Sequence, residues 1–548
     1  MATVTFAAKD LKAEGIDYAK LEDIVSAIGM SVESRDAENI MIDVTNNRPD
    51  MLSFRGFVRA VKYFTGALEA REGRYKLTDV PRLDITVDAS LQKARPYMAA
   101  MVVENANLAG NMLKYLINFT DKLSDTYGRR RKKFAIGIHD LSKVKGAITY
   151  TMQKEGRMVP LGGRAEADLS SVAIGSRKGQ EYAGMVGEKG PFPVIKDSEK
   201  VLALVPIINC NQTAVQEQTK SLFIELTGTS RPSMEAAARL VACSLMDAGA
   251  KVYPCRIKYA NGESSVTPEL PDTEMKLKVI GAERTIGVPL TQNGLIGMLN
   301  KMGYYAARFG KDVVAYVPPY RIDLLNDQDL VEDVAIAFGY DRINPLPVVG
   351  FSIGIPQDYI ERERRLSMFM VGLGFSQALN TLLTGQETNY AKMGARARAD
   401  HVRIEYSKSE SATMLRTRIL PGLLANLGAA THERMPQKLF EVGSVFSIDG
   451  GQVVEQTRMA FVSEHSKANF AEAKAHAETV LRQMGVKDFR IEGYKDPAFI
   501  EGRAAAAYSG DNLLCYFGEI HPNVLVNFGM EEPVVAGEFV INPNVKYE

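Results

Sequence analysis

The sequence predicts a multidomain α+β protein, and three observations carry that expectation. At 548 residues the chain is too long for one hydrophobic core; domains of roughly 150 residues give three to four, and four fit the sequence. Apolar runs of strand length alternate with amphipathic helical stretches from end to end. Hydrophobic residues make up 46% and charged residues 24%, the balance of a folded chain with a sizeable core.

The expected domains are residues 1–90, 91–265, 270–347 and 355–548. The first opens with the strand-like TVTFAA and a helical segment bearing Leu21, Ile24, Val25 and Ile28 on one face. A β-type run then meets Asn46, Asn47 and Pro49, after which Ser53 caps a helix running to Phe64 and ending at Gly66. The second domain alternates strands (YMAAMVV, VLALVPIIN, LFIEL) with helices (MLKYLINFTDKLSDTYG, SMEAAARLVACSLMDAG) in an α/β pattern, and YANGESSVTPELPDTE reads as a linker. The third is a small unit of strand MKLKVIG, helix TQNGLIGMLNKMG, a strand pair around YYAARFGKDVVAYVPPYR and helix DLVEDVAIAFGY closed by Gly339. The fourth alternates helices with antiparallel-type strands such as QVVEQTRMAFVS and LLCYFGEI.

Lys plus Arg equals Asp plus Glu at 66 each, so any attraction to nucleic acid must come from local patches. No stretch reaches the roughly 20 apolar residues of a membrane span and the N-terminus lacks a signal peptide's apolar run, so a cytoplasmic protein without membrane contact is expected. Cys210, Cys243, Cys255 and Cys515 lie far apart, without CxxC spacing, and read as buried thiols. Neither a Walker-type loop, a GxGxxG after a strand, HExxH nor a GxSxG elbow occurs, which removes independent kinase, dehydrogenase, protease and esterase chemistry.

In RIDLLNDQDLVEDVAIAFGYD, Asp329, Glu332 and Asp333 share one face near a helix start, with Asp323 six residues upstream. Grouped carboxylates repel one another, and a hard cation such as Mg²⁺ removes that repulsion; a solvated helix start favoured by the dipole is the plainer reading. The surrounding string resembles the metal-associated, winged-helix-like domain of phenylalanyl-tRNA synthetase β subunits. Pro319, Arg321, Asp323, Asp329, Leu330, Glu332, Val334, Gly339, Tyr340 and Asp341 match in register. The resemblance implies magnesium at Asp323, Asp329, Glu332 and Asp333, with Asp333 where the family has Glu.

Three further stretches are similar to the same family. NNRPDMLSFRGFVRAVKYFTG looks like its N-terminal signature, in which Arg48 and Asp50 pin a turn. GRRRKKFAIGIHDLSKV with PIINCNQTAVQEQTKSLFIELTGTS looks like the archaeal and eukaryotic editing domain. SESATMLRTRILPGLLANL with LFEVGSVF and FGEIHPNVLVNFGM looks like the C-terminal domain, similar to a class II synthetase fold of antiparallel sheet flanked by helices. Class II chemistry reads ATP with an Arg-Glu motif on a strand pair and a second Arg at a helix start. Here Arg416 and Arg418 precede a helix and Glu441 has no adjacent Arg, so a catalytically inactive domain is expected.

The resemblance therefore implies the β subunit of an α2β2 ligase that joins phenylalanine to tRNA(Phe) with ATP on a separate α subunit. It implies that residues 91–265 hydrolyse mischarged Tyr-tRNA, which needs a polar partner for the tyrosine hydroxyl. Glu225 is the candidate acceptor, and Asn209, Thr213, Thr219, Thr227 and Thr229 are candidates to line the pocket; His139 is read as structural. Ser230 stands where the family usually has Asp. The basic run Arg129, Arg130, Arg131, Lys132 and Lys133 suits a tRNA backbone or is simply a solvated turn. The short C-terminus fits the archaeal or eukaryotic form. A nucleic-acid-binding relative without activity and a free-standing deacylase are the alternatives.

Overall fold

The computed structural model describes residues 2–541 apart from 79, 176, 187–189, 272, 349, 351 and 408. The chain divides into two units, Met1–Pro347 and Val348–Glu548.

The first unit begins with β1 (Ala2–Ala7), β2 (Ser31–Arg35) and β3 (Asn39–Val44), an antiparallel sheet in the order β1-β3-β2. Strand β3 alternates, burying Ile40, Ile42 and Val44 beneath α1 (Phe54–Phe64). The helix starts where Ser53 Oγ accepts a hydrogen bond from the Gly56 N–H at 3.4 Å, and its chain turns away at Gly66, with φ of 76°.

Next come β4 (Asp84–Val87), β5 (Tyr97–Glu104), β6 (Phe134–Asp140), β7 (Ile148–Gln153), β8 (Phe192–Lys196), β9 (Val201–Leu204), β10 (Ile208–Asn209), β11 (Ser221–Gly228), β12 (Lys251–Tyr259) and β13 (Ser264–Thr267). They form one sheet in the order β10-β9-β8-β7-β4-β12-β5-β11-β6, with β13 on β12. The sheet curls until its ends nearly meet: Asn209 Nδ2, on one edge strand, donates to the Ile138 carbonyl on the other at 3.2 Å. Inside this barrel lie Ile85, Ala100, Tyr150, Leu202, Phe223 and Ile257. Outside, α2 (Met112–Asp125) and α3 (Arg231–Asp247) pack on Leu222, Ile224 and Leu226, in a core continuous with Val4, Ile42 and Phe57 of the first sheet. The stretch read as a linker is partly strand. β-Branched Val266 and Thr267 extend the barrel edge, and Thr267 Oγ1 accepts from the Ala100 N–H at 2.9 Å.

The unit closes with β14 (Thr273–Leu277), α4 (Val279–Ile286), α5 (Gln292–Lys301), β15 (Tyr305–Phe309), β16 (Asp312–Val317) and α6 (Asp327–Phe338), whose sheet runs β14-β16-β15. The expected strand MKLKVIG stops at Leu277 and its VIG begins α4.

The second unit is a seven-stranded sheet of β17 (Ser376–Gln377), β18 (Gln437–Asp449), β19 (Gln452–Glu464), β20 (Arg490–Gly493), β21 (Phe499–Ser509), β22 (Asn512–Ile520) and β23 (Val534–Val540). Its order is β17-β18-β19-β23-β22-β21-β20, antiparallel except for the short first pair. The period-two alternation of β19 sends Met459 and Phe461 to one face and Ala460 and Val462 to the other. The first face packs under α7 (Asp358–Gly372) and α9 (Phe470–Gln483), the second under α8 (Leu420–Ala429) and α10 (Pro522–Phe528). All four cysteines are free and buried, as expected. Among the described residues no helix is long and apolar enough to cross a membrane.

Candidate functional site

Strand β11 holds the central expected residue. Its alternation sends Leu222, Ile224 and Leu226 outward and Phe223, Glu225 and Thr227 inward. Glu225 sits opposite Gly137 of β6, where any side chain would collide with Glu225 Oε1 and crowd Asn209 Oδ1. Glycine there leaves room for the carboxyl. Glu225 is 4% exposed, and its Oε2 has no hydrogen-bond partner among the described residues. Burial pushes the carboxyl up to about 8, with Arg95 pulling the other way, so near neutral pH it is largely protonated and can both donate and accept.

Further along the same interior, His139 Nδ1 is hydrogen-bonded to Thr213 Oγ1 at 2.7 Å, and Thr213 Oγ1 also meets Cys210 Sγ at 3.1 Å. Burial pushes the imidazole down to about 4, leaving it neutral and stacked on Phe223. Thr219 Oγ1 donates to Asp140 Oδ2 at 3.2 Å, while Thr227 Oγ1 accepts from Arg95 Nε at 3.1 Å and Thr229 Oγ1 donates to the Lys132 carbonyl at 2.8 Å. Glu225 and Asn209 are thus neighbours, but the expected pocket residues do not close around one point. The threonines are spread along β11 and its flanks, each bound to a different partner.

The open space lies beside them. A cavity of about 370 Å³ is lined by Arg95, Lys132, Met152, Pro193, Pro206 and Thr229 among others; of the six expected pocket residues only Thr229 reaches it. Arg95, 5% exposed, is a residue that sequence reasoning missed: a lone arginine before a proline and a strand carries no motif.

The basic run divides. Arg129, Arg130 and Arg131 all take left-handed backbone, with φ of 50°, 51° and 62°, forming a tight reversal after α2. Arg131 is 8% exposed and committed to the fold: its Nη1 donates to the carbonyls of Pro206 at 2.9 Å and Ile207 at 3.2 Å, its Nη2 meets Asp121 at 3.0 Å, and its guanidinium lies over Tyr182. Arg129, Arg130 and Lys132 are exposed and Lys133 half-buried. The run is therefore not one uniform patch, because Arg131 satisfies carbonyls that the barrel would otherwise bury unpaired.

The four acids do line one cavity, of about 830 Å³. Within it Asp323 accepts hydrogen bonds from Arg321 Nε at 2.9 Å and Nη2 at 2.8 Å, while Asp333 forms an ion pair with Arg321 Nη1 at 2.7 Å and accepts from the Tyr304 hydroxyl. Asp329 closes the capping box of α6: its Oδ2 accepts the N–H groups of Leu325 at 2.6 Å and Asn326 at 2.9 Å. Glu332 accepts from the Tyr340 hydroxyl at 2.8 Å. Among the described residues no group of three or more such side chains could hold a metal ion. The arrangement does not fit Mg²⁺ as it stands, because the cation that Asp323 and Asp333 face is a guanidinium. Arg321 was visible in the motif, but its buried position between two aspartates was not.

Comparison with known proteins decides the family. Profiles described as "B3/4 domain", "tRNA synthetase B5 domain" and "Phenylalanyl tRNA synthetase beta chain CLM domain" match residues 85–244, 275–340 and 344–541. The chain is 31% identical to the phenylalanine–tRNA ligase β subunit of Methanosphaera stadtmanae, covering 96% of each chain. It is 34% identical to that of Aeropyrum pernix, covering 96% of this chain and 95% of the other. The chain belongs to the phenylalanine–tRNA ligase β-subunit family. An N-terminal fragment of the phenylalanyl-tRNA synthetase β subunit from Pyrococcus horikoshii shares the fold, with 28% identity and a TM-score of 0.59, covering 62% of this chain and 99% of the fragment.

In the second unit three arginines are drawn into ion pairs. Arg416 Nε donates to the Ser444 carbonyl at 2.8 Å and its Nη1 to Glu441, whose carboxylate also accepts from Asn380 Nδ2 at 2.8 Å. Arg418 is paired with Asp496 at 2.7 Å, and Arg458 with the fully buried Glu538 at 2.9 Å. Glu538 also accepts the N–H groups of Ile419 at 3.1 Å and Leu420 at 3.0 Å, at the start of α8. Each of these three guanidiniums already faces a carboxylate. A nucleotide triphosphate would have to displace them.

Proposed function

We propose that the chain is the β subunit of a phenylalanine–tRNA ligase, an α2β2 enzyme of the cytoplasm in which ATP-dependent aminoacylation takes place on the α chain. Relatives of that name cover nearly its whole length. The observation that carries the division of labour is the pairing of Arg416, Arg418 and Arg458 with Glu441, Asp496 and Glu538. Charges already neutralised by the fold offer little to a triphosphate. ATP and its Mg²⁺ enter as requirements of the complex, with no step assigned to the acids at 323–333.

The barrel is proposed as the proofreading part, releasing tyrosine from mischarged tRNA(Phe). Two features support this: a buried Glu225 with a spare oxygen, suited to a phenolic hydroxyl, and the adjacent cavity edged by Arg95, Lys132 and Thr229. The exposure of Arg129, Arg130 and Lys132 supports contact between the basic run and an RNA backbone. The test is deacylation of Tyr-tRNA(Phe) by the αβ complex. Hydrolysis lost in Glu225→Ala and kept in a variant of the α chain's synthetic site supports the reading. Complete absence of hydrolysis by the parent complex would sink the editing role while leaving the family untouched.

A further inference from the structure

Two motifs far apart in the chain, NNRPDMLSFRGFVR and RIDLLNDQDLVED, meet inside the first unit. Asp333 of α6 is paired with Arg321 at 2.7 Å and Arg321 with Asp323 at 2.8 Å; both lie within electrostatic reach of Arg48. Arg48 is paired with Asp50 at 2.9 Å, Asp50 with Arg59 at 3.1 Å, and Arg59 with Asp247, the last residue of α3, at 2.5 Å. Charges of alternating sign therefore run from α6, through the turn before α1, to the outer helix of the barrel. From Asp333 to Asp247 these side chains are at most 11% exposed. Tyr320 lies over the Arg59 guanidinium, with its ring centre at 3.4 Å, and meets Tyr75 edge-on at 5.6 Å. Gly303 lets the elements come this close: a Cβ there would stand 2.7 Å from the Tyr320 hydroxyl and 2.9 Å from Tyr63.

Apolar contact across the same junction comes from few of the described side chains. The β14–α6 module has a core of its own, built on Leu277, Leu295, Leu299 and Leu330, with Phe64 of α1 packed against it, while Tyr320 and Ile322 join the core of the N-terminal sheet. Beside the ion pairs the cavity of about 830 Å³ takes its lining from both modules, Asp23, Asn47 and Phe64 from one and Lys301, Glu332 and Tyr340 from the other. Modules of one chain joined without a large apolar interface move relative to each other unless something else holds them. Buried ion pairs add little net stability, but any arrangement that leaves one of their charges unpaired is heavily penalised, so they select a single geometry. We propose that this chain of charges is a registration lock, which fixes one orientation of the β14–α6 module on the N-terminal sheet and on α3. Arg48 and Asp50 then hold a joint between modules rather than a local turn alone, and Arg59 is its centre, since it touches the turn, the barrel helix and Tyr320 together.

The lock is tested by measuring the distance between two spin labels on the full-length chain. Lys20→Cys in the N-terminal module and Lys311→Cys at the turn between β15 and β16 place the labels at exposed positions, and the four native cysteines are buried and stay unlabelled. Pulsed dipolar spectroscopy of the otherwise unaltered chain should give one narrow distance. Asp247→Asn, a change on the barrel helix outside both labelled modules, should raise the population at other distances about tenfold, the scale of one lost charge-assisted hydrogen bond. Arg59→Lys keeps the charge and loses the planar fork, so it should act in the same direction, and it carries the test if Asp247→Asn does not fold. Circular dichroism checks the fold of each variant. A broad distribution in the parent would overturn the proposal. So would folded variants with the parent's single narrow distance, even if less stable, because the charges would then pin only the turn around Arg48 and Asp50.

Discussion

Arg321 is held by two aspartates and packed on Tyr304, at 5.1 Å from the ring centre, so its removal strands Asp323 and Asp333. Breaking a buried ion pair from one side costs roughly 3–5 kcal/mol, whereas losing a helix cap costs about 1 kcal/mol. Arg321→Met should therefore lower stability several times more than Asp329→Ala, read from urea unfolding, and dialysis against a chelator should leave the midpoint unchanged. A chelator-sensitive midpoint would bring a metal back to these acids. Glu225 makes a prediction of the opposite kind. Its folded carboxyl titrates at about 8 rather than the ordinary 4.5, so the native state holds a proton the unfolded chain releases, and stability is lost as pH rises from about 4.5 through 8. His139, pushed down to about 4, acts in reverse: its contribution is lost as pH falls from 6.5 through 4. The two oppose each other below 6.5. Between 6.5 and about 8 the Glu225 slope stands alone of the pair, and Glu225→Gln should flatten it in thermal melts at stepped pH. Sequence marked Glu225 as polar in an apolar strand; that its carboxyl has room on the inner face depends on Gly137, its register partner on the neighbouring strand β6.

At the scale of elements the turn Arg129–Arg131 stands out, since three consecutive non-glycine residues adopt left-handed backbone. Each costs roughly 1–2 kcal/mol, and glycine relieves that at an entropic cost of about 0.5–1 kcal/mol. Arg130→Gly should thus raise stability slightly, by about 0.5–1 kcal/mol. If the exposed arginines meet tRNA, the same change should weaken tRNA binding and make it less sensitive to salt. Greater stability with unaltered tRNA affinity would mark the run as a turn only. The helices and long strands were legible because hydrophobic periodicity reports a buried face: α3, α5, α6 and β19 fall where their patterns place them. The strand Ser264–Thr267 was hidden among Gly, Ser and Pro because it is short and is defined by its hairpin pairing with the preceding strand β12 rather than by its own composition.

The whole chain should form no phenylalanyl-tRNA by itself and should do so once its α partner is supplied, as measured by ATP-dependent charging of tRNA(Phe). Charging by this chain alone would refute the reading of Arg416, Arg418 and Arg458 as neutralised by the fold. Sequence by itself determined the family, the α+β composition, the buried cysteines and the segments able to carry a site, because these depend on local pattern and on motifs contiguous in the chain. Tertiary structure alone decided which charges cancel. Asp323 and Asp333 meet Arg321, Arg416 meets Glu441, and Arg95 is left among neutral oxygens beside a cavity. An ionised side chain is stabilised or stranded by whatever lies within a few ångströms of it in space, and in this fold those neighbours range from Asp323, two residues from Arg321, to Thr227, 132 residues from Arg95.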